Sequence, residues 1–230
     1  MNIKYYLIHG IDKQRGPRMR EEFKKWNLDN NDVKWILEPN KEKITDDLRK
    51  KILIQNESTS CGINYLPGCP NIKNGQISCT IKHYLCLKDI IENNYEYGVI
   101  MEDNQFFCGD IQYHVNLYIS QLNELYTDNW DIIFDTKWLS YKNIEEETVK
   151  DGIFVYPKSN EIGKYVHGGT RLAQFYIINN KCAKKLFENY IPFNNAPDWW
   201  MNDLFRKLNI KSFWSEPSIS DVFPHISTAN

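Results

Sequence analysis

The sequence predicts an α/β fold, a mainly parallel (mixed) sheet flanked by helices, in a single domain over residues 1–230. Three observations predict it. Short apolar runs alternate with amphipathic runs through the first 135 residues, the order that builds parallel strands joined by helices. No internal repeat divides the chain. No clean linker interrupts it either, and 230 residues are enough to bury a sizeable core.

The elements follow in order. IKYYLIH, residues 3–9, reads as a first buried strand, and Gly10 to Pro17 as a polar turn. Met19, Phe23 and Trp26 share one face of a helix over 19–26. VKWIL, 33–37, is a second strand, ended by Pro39. Residues 41–56 form a charged helix or helix pair, and 57–75 a loop rich in Gly, Pro, Ser and Asn. The clearest helix runs from Gln76 to Asn93, with a stripe of Ile77, Ile81, Tyr84, Leu85, Lys88 and Ile91. Tyr97 to Met101 is a strand. Ile111 to Tyr126 is a helix with Val115, Ile119, Leu122 and Leu125 on one side. WDIIF, 130–134, and Gly152 to Tyr156 are further strands. RLAQFYII, 171–178, is a late strand, followed by a helix from Lys181 to Asn189 and a loop from Pro192 to Pro197. Asp198 reads as the N-cap of a helix ending at Leu208. Lys211 to Trp214 is a short final strand, and residues 215–230 form an irregular tail.

Composition narrows the function classes. A net charge of -2 argues against non-specific binding to nucleic acid or to an anionic membrane surface. No apolar run approaches the roughly 18 residues of a membrane span. MNIKYYLIHGIDKQ reads as a strand and not as a signal peptide, so a cytoplasmic location is expected. The six cysteines contain no C-x-x-C pair, which argues against a zinc site. Cys61 and Cys69 bracket a short Gly/Pro loop, and reduced thiols are the expected state. Aromatic residues make up 14%, compatible with stacking on sugars or nucleobases as well as with core packing. The excess of Asn, Ile and Lys with few Arg points to an AT-rich coding genome, viral or from a low-GC microbe.

One stretch carries chemistry. GVIMEDNQFF, 98–107, runs from an apolar strand into Glu102, Asp103 and Asn104 and then back into aromatics. In open α/β sheets ligands bind beyond the carboxyl ends of strands. Side chains alternate along a strand, so the three cannot all share a face, but a sharp turn would let two converge on a hard cation. Clustered oxygens suit Mg²⁺ or Mn²⁺ holding a diphosphate, which such an ion helps to leave. Solvent-facing acids or a helix cap explain the triplet equally well.

The context resembles a family. GQISCTIKHYLCLKDIIENNYEYGVIMEDNQFF is similar to the core signature of glycosyltransferase family 25, the bacterial lipooligosaccharide and procollagen galactosyltransferase group. That signature has a Gly-Glu-Ile-Gly-Cys turn, a helix bearing Ser-His, and an apolar strand ending Glu-Asp-Asp. Here it reads Gly75, Gln76, Ile77, Ser78, Cys79, then His83, then Glu102, Asp103, Asn104. YYLIHGIDKQRGPRM resembles the family's opening strand and Arg-rich turn. WDIIF, GTRLAQFYIINNKCAKKL and PDWWMNDLF resemble later segments. The sequence departs from the pattern at His9, Gln76, Ser78 and Asn104, where Asn, Glu, Gly and Asp are usual. An amide oxygen at 104 still accepts a metal or a hydroxyl, with one negative charge fewer.

The resemblance implies a GT-A-like fold and transfer of a hexose, galactose or glucose, from a UDP-sugar. The acceptor would be a hydroxyl of a glycan, glycoprotein or collagen-like (hydroxylysine-type) partner, and the reaction Mn²⁺- (or Mg²⁺-) dependent and inverting. Glu102 and Asp103 would meet the metal and donor, with Asp103 the direct ligand and His225 a late one. Asn104, Arg15, Arg18 and His83 would bind the donor. Asp198 would be the general base on the acceptor hydroxyl, with Asp203 in reserve, and Trp199 and Trp200 a sugar platform. His167, Gly168 and Gly169 read as a loop offering N–H groups to phosphate, with Arg171 nearby. The competing class is a non-catalytic nucleotide-sugar or carbohydrate-binding protein on the same fold. A phosphohydrolase fits less well, because the first strand ends in His9 and Gly10 without a nucleophilic Asp.

Overall fold

A computed structural model describes residues 1–10, 12–54, 72–127, 129–137, 150–160 and 168–222. The sheet is built around β1 (Ile3–Ile8), whose six residues are mostly apolar because both of its faces are covered. β1 has parallel partners on both sides, β2 (Val33–Ile36) and β3 (Tyr97–Glu102). Beyond β3 lies β7 (Phe175–Asn179), antiparallel to it, and then β5 (Ile132–Phe134), β8 (Ser212–Ser215) and β6 (Val155–Pro157). The order is β2-β1-β3-β7-β5-β8-β6. The antiparallel pairings turn only β7 and β6 against the common direction, so the sheet is mixed and mainly parallel, as expected.

Alternation along these strands divides the core in two. Tyr6, Ile8, Ile100, Phe134, Tyr176 and Ile178 face one layer, which α3 (Asn74–Glu92), α5 (Asn180–Tyr190) and α6 (Pro197–Leu208) cover. Tyr5, Leu7, Val99, Met101, Ile133, Phe175 and Ile177 face the other, covered by α1 (Arg15–Lys25) and α4 (Ile111–Tyr126). A short helix, α2 (Asp46–Ile52), is N-capped by Thr45, whose side chain accepts from the Leu48 amide. No helix among the described residues is long and apolar enough to cross a membrane.

Several local expectations are revised. α1 starts at Arg15, inside the stretch expected to be a turn. The Asp12 carboxylate accepts the amides of Gln14 and Arg15, and Pro17 falls in the first turn, where its missing N–H costs nothing. α6 starts at Pro197 with Ala196 as its cap, so Asp198 lies in the first turn and is not the N-cap. Leu125 is exposed. The buried face of α3 keeps Ile77 of the predicted apolar stripe but otherwise carries Thr80, His83, Cys86, Leu87 and Ile90. Ile81, Tyr84, Leu85 and Ile91 pack only partly against the core.

The tail is not wholly irregular. Residues Ser220–Val222 form β9, which pairs antiparallel with β4 (Gln105–Phe107) directly after the acidic triplet. Cys61, Cys69, His167 and His225 lie outside the described residues.

Candidate active site

β1 and β3 run parallel with Ile8 opposite Glu102, so their carboxyl ends lie side by side. That edge is where ligands of open α/β sheets bind. Glu102 and Asp103 leave it toward different partners. Asp103 turns toward α1. Its Oδ2 lies 2.6 Å from His9 Nδ1 and accepts the Gly10 amide at 3.0 Å. Its Oδ1 accepts Arg15 at 2.8 Å, and Arg18 donates to its carbonyl at 3.3 Å. Arg15 and Asp103 are both buried. Burial opposes the ionisation of Asp103. The bonds from His9, Gly10 and Arg15 outweigh it and hold the carboxyl below its usual 3.8.

Glu102 turns toward α3. Its Oε1 lies 3.2 Å from His83 Nε2 and 3.6 Å from Cys79 Sγ. His83 Nδ1 meets the Tyr176 hydroxyl at 2.8 Å, and the two rings stack. Cys79 and His83 share a side because four residues bring a helix round by just over one turn.

A hard cation shared by Glu102 and Asp103 therefore does not fit this arrangement. The two carboxylates take separate partner sets, and both Asp103 oxygens already accept from protein donors. Convergence of two of the three side chains on one ion is not seen for this pair. Asn104 Oδ1 is buried with no hydrogen-bond partner among the described residues.

Sequence reading missed Lys82. It is buried on α3 and donates to the His9 carbonyl at 2.7 Å, which places a third cation by the edge that holds Arg15 and Arg18. Burial lowers its pKa. A lysine inside a helical run reads as solvent-facing, so no local signal marks it. Asp135, at the end of β5, was missed as well. The strand-end rule applied at Glu102 would have flagged it. It is buried and accepts from Tyr118, Ser215, Ser218 and Ser220 hydroxyls and from the Ile219 and Ser220 amides. Those partners fix residues 215–220, which lead into β9.

The start of α6 is tied to its neighbours by two hydroxyl bonds. Thr80 on α3 donates to the Asn195 carbonyl at 3.5 Å, and Thr170 to the Asp198 carbonyl at 3.4 Å. These bonds hold the start of α6 near α3, with Asp198 half-buried in the first turn. Trp199 is half-buried too. Trp200 is a core residue, its Nε1 donating to the Tyr190 carbonyl at 2.8 Å, so the two-indole platform is reduced to Trp199. Asp203 pairs with Arg206 on the same helix.

The Gly168–Gly169 turn is tied into the protein through its carbonyl and the amide that follows it. The Gly169 carbonyl accepts Trp214 Nε1 at 2.8 Å, and the Thr170 amide donates to Asn202 at 3.1 Å. A Cβ at Gly169 would come within 2.3 Å of Asn160 Oδ1, which explains the glycine. Arg171 is buried against Ser215 and Glu216, at 2.8 and 2.9 Å, and so belongs to the C-terminal segment.

Comparison with known proteins agrees with the signature at this edge. The family model for Glycosyltransferase family 25 (LPS biosynthesis protein) matches residues 11–201. No curated protein sequence matches the chain. A solved structure described as "Crystal Structure of A197 from STIV" is similar at 10% identity and a TM-score of 0.37, over 80% of this chain and 68% of that one. With its signature helix and acidic strand end together at one edge of a mixed α/β sheet, the chain belongs to glycosyltransferase family 25.

Proposed function

We propose that the protein transfers a hexose, galactose or glucose, from a UDP-sugar to a hydroxyl of a glycan, glycoprotein or collagen-like acceptor, with inversion. The observation that carries this reading is the clustering of Arg15, Arg18 and Lys82 around Asp103 at the carboxyl edge of β1 and β3. A diphosphate is the ligand such an edge suits, because guanidinium groups bind phosphate oxygens in pairs and the N-terminus of α1 adds its own positive end. Arg15 and Arg18 bind the diphosphate, and Asp103 orients Arg15. Asp198 is the base that takes the acceptor proton, and Trp199 stacks on the acceptor sugar. The Asn104 amide faces the donor. Mn²⁺, where it takes part, would supply Lewis-acid help to the leaving diphosphate, and its oxygen ligands would come from residues other than the Glu102–Asp103 pair as it now lies.

The test is thermal unfolding with UDP, with and without Mn²⁺, followed by hydrolysis and transfer assays on a panel of UDP-sugars. UDP should stabilise the protein by about 2.7 kcal/mol at a hundredfold excess over its Kd. Arg18→Ala should abolish most of that shift while leaving the ligand-free melting temperature nearly unchanged. No UDP shift under either condition would overturn the reading. A second reading, binding without catalysis, is favoured by the saturation of Asp103 and the amide at 104. It predicts the UDP shift with no turnover of any donor.

A further inference from the structure

The three groups on the α3 side of β3 form a cluster that the sugar-transfer reading does not use. Cys79 Sγ, His83 Nε2 and Glu102 Oε1 all lie within 4.8 Å of one another. We infer that they form a binding site for a borderline-soft divalent ion such as Zn²⁺, with one coordination position left open.

Four observations carry this inference. The first is geometry. Zn–S bonds of about 2.3 Å and Zn–N or Zn–O bonds of about 2.0–2.1 Å place tetrahedral ligand atoms roughly 3.3–3.6 Å apart. The measured His83–Glu102 and Cys79–Glu102 separations are 3.2 and 3.6 Å, so two edges of that tetrahedron already exist without an ion. The third edge, Cys79 to His83, is within 4.8 Å.

The second is the hydrogen bond behind the ligand. His83 is fully buried, and its Nδ1 contacts the Tyr176 hydroxyl at 2.8 Å with the rings stacked. That contact fixes the ring so that Nε2 points at Glu102, the orientation that metal-bound histidines gain from an outer partner. A tyrosine hydroxyl both donates and accepts, so it serves the tautomer with the proton on Nε2 and, once an ion takes Nε2, the tautomer with the proton on Nδ1.

The third is charge. A thiolate, a carboxylate and a neutral imidazole cancel the two charges of the ion, which suits a site this far inside the protein. Binding breaks the Cys79 S–H bond and releases one proton to solvent. The fourth is a buried polar group nearby without a partner. The Tyr190 hydroxyl is buried and makes no hydrogen bond among the described residues. Access is from the carboxyl edge, where Cys79 and Glu102 are only partly covered while His83 is closed off.

The expectation that the chain lacks a zinc site rested on the absence of C-x-x-C. A Cys-x-x-x-His pair on one helix turn with a glutamate from a neighbouring strand is a pattern that search does not cover.

The experiment is a Co²⁺ titration of the chelator-stripped full-length protein, followed by Zn²⁺ displacement. One equivalent of Co²⁺ should give a thiolate-to-cobalt charge-transfer band in the near ultraviolet, together with tetrahedral d–d absorption. About one proton should be released per ion. Zn²⁺ should erase both bands. Cys79→Ser should remove the charge-transfer band, and His83→Gln should weaken binding at least tenfold. Cys108→Ser, which alters an exposed thiol elsewhere, should leave both unchanged. Circular dichroism of each variant separates lost binding from lost folding. If His83→Gln does not fold, protection of Cys79 from thiol alkylation by Zn²⁺ in the unmodified protein decides the matter. The inference is overturned if no charge-transfer band forms, if the band survives in Cys79→Ser, or if Zn²⁺ leaves alkylation of Cys79 unchanged. The three residues would then be a hydrogen-bonded network only. Neither outcome depends on UDP binding, so this site and the sugar-transfer reading stand or fall separately.

Discussion

Asp103 and Asp135 end two strands of one sheet, β3 and β5, and both are buried, yet they are held in different ways. Asp103 is held by the Arg15 guanidinium, the His9 ring and the Gly10 amide. Asp135 is surrounded by neutral partners, four hydroxyls and two amides, nearly all from residues 215–220. A carboxylate held by arginine is held by a group that also binds phosphate, so its partners can be drawn away by an anionic ligand. A carboxylate held by local hydroxyls and amides has no such competitor and serves as an anchor. Burial alone therefore does not separate these two acids. The chemical type of their partners does.

The largest expected effect tests the anchor. Asp135→Ala removes the acceptor shared by Tyr118, Ser215, Ser218, Ser220 and the Ile219 and Ser220 amides, and should destabilise the fold by about 3–5 kcal/mol. Denaturant unfolding measures it, and loss of amide protection at β9 should accompany it. A loss below 1 kcal/mol would erase the contrast. Asp103→Asn should cost less, about 1–3 kcal/mol, because His9 and Gly10 keep partners while Arg15 loses the nearer of its two carboxylates and keeps Asp12. This variant also carries a pH signature. The folded pKa of Asp103 is depressed, so its contribution is fully present above the unfolded value and fades as pH falls below 3.8 through the folded value. The stability difference between the wild type and Asp103→Asn should therefore shrink as pH falls below about 4. The smallest effect is expected for Ser218→Ala, about 1 kcal/mol, since Asp135 keeps its other donors. A much larger loss would mean that Ser218 alone, and not the set of donors, secures the segment.

Much of the fold was legible because its signals are local. α4 runs from Ile111 to Tyr126, as its apolar spacing predicts, and every strand expected from residues 3–9 to 211–214 has a counterpart. β4 and β9 were not legible, since they stand in no longer apolar run of the kind that marked the equally short β5 and β6. The buried face of α3 was misread for a different reason. Its inward residues include Thr80, His83 and Cys86, which a division into apolar and polar classes assigns to solvent.

The sequence by itself determined the order of elements, the position of an acidic pair at a strand end and the family signature, because each is written within a few tens of contiguous residues. Only the tertiary structure decided what those acids touch. Asp103 meets His9 and Arg15 across 94 and 88 residues, and Asp135 meets Ser218 across 83. Such contacts follow from strand order and register, which local periodicity does not encode. The same register buries Trp200, ties Arg171 to the C-terminal segment, and sets Cys79 and His83 beside Glu102 on the side of β3 that Asp103 does not share.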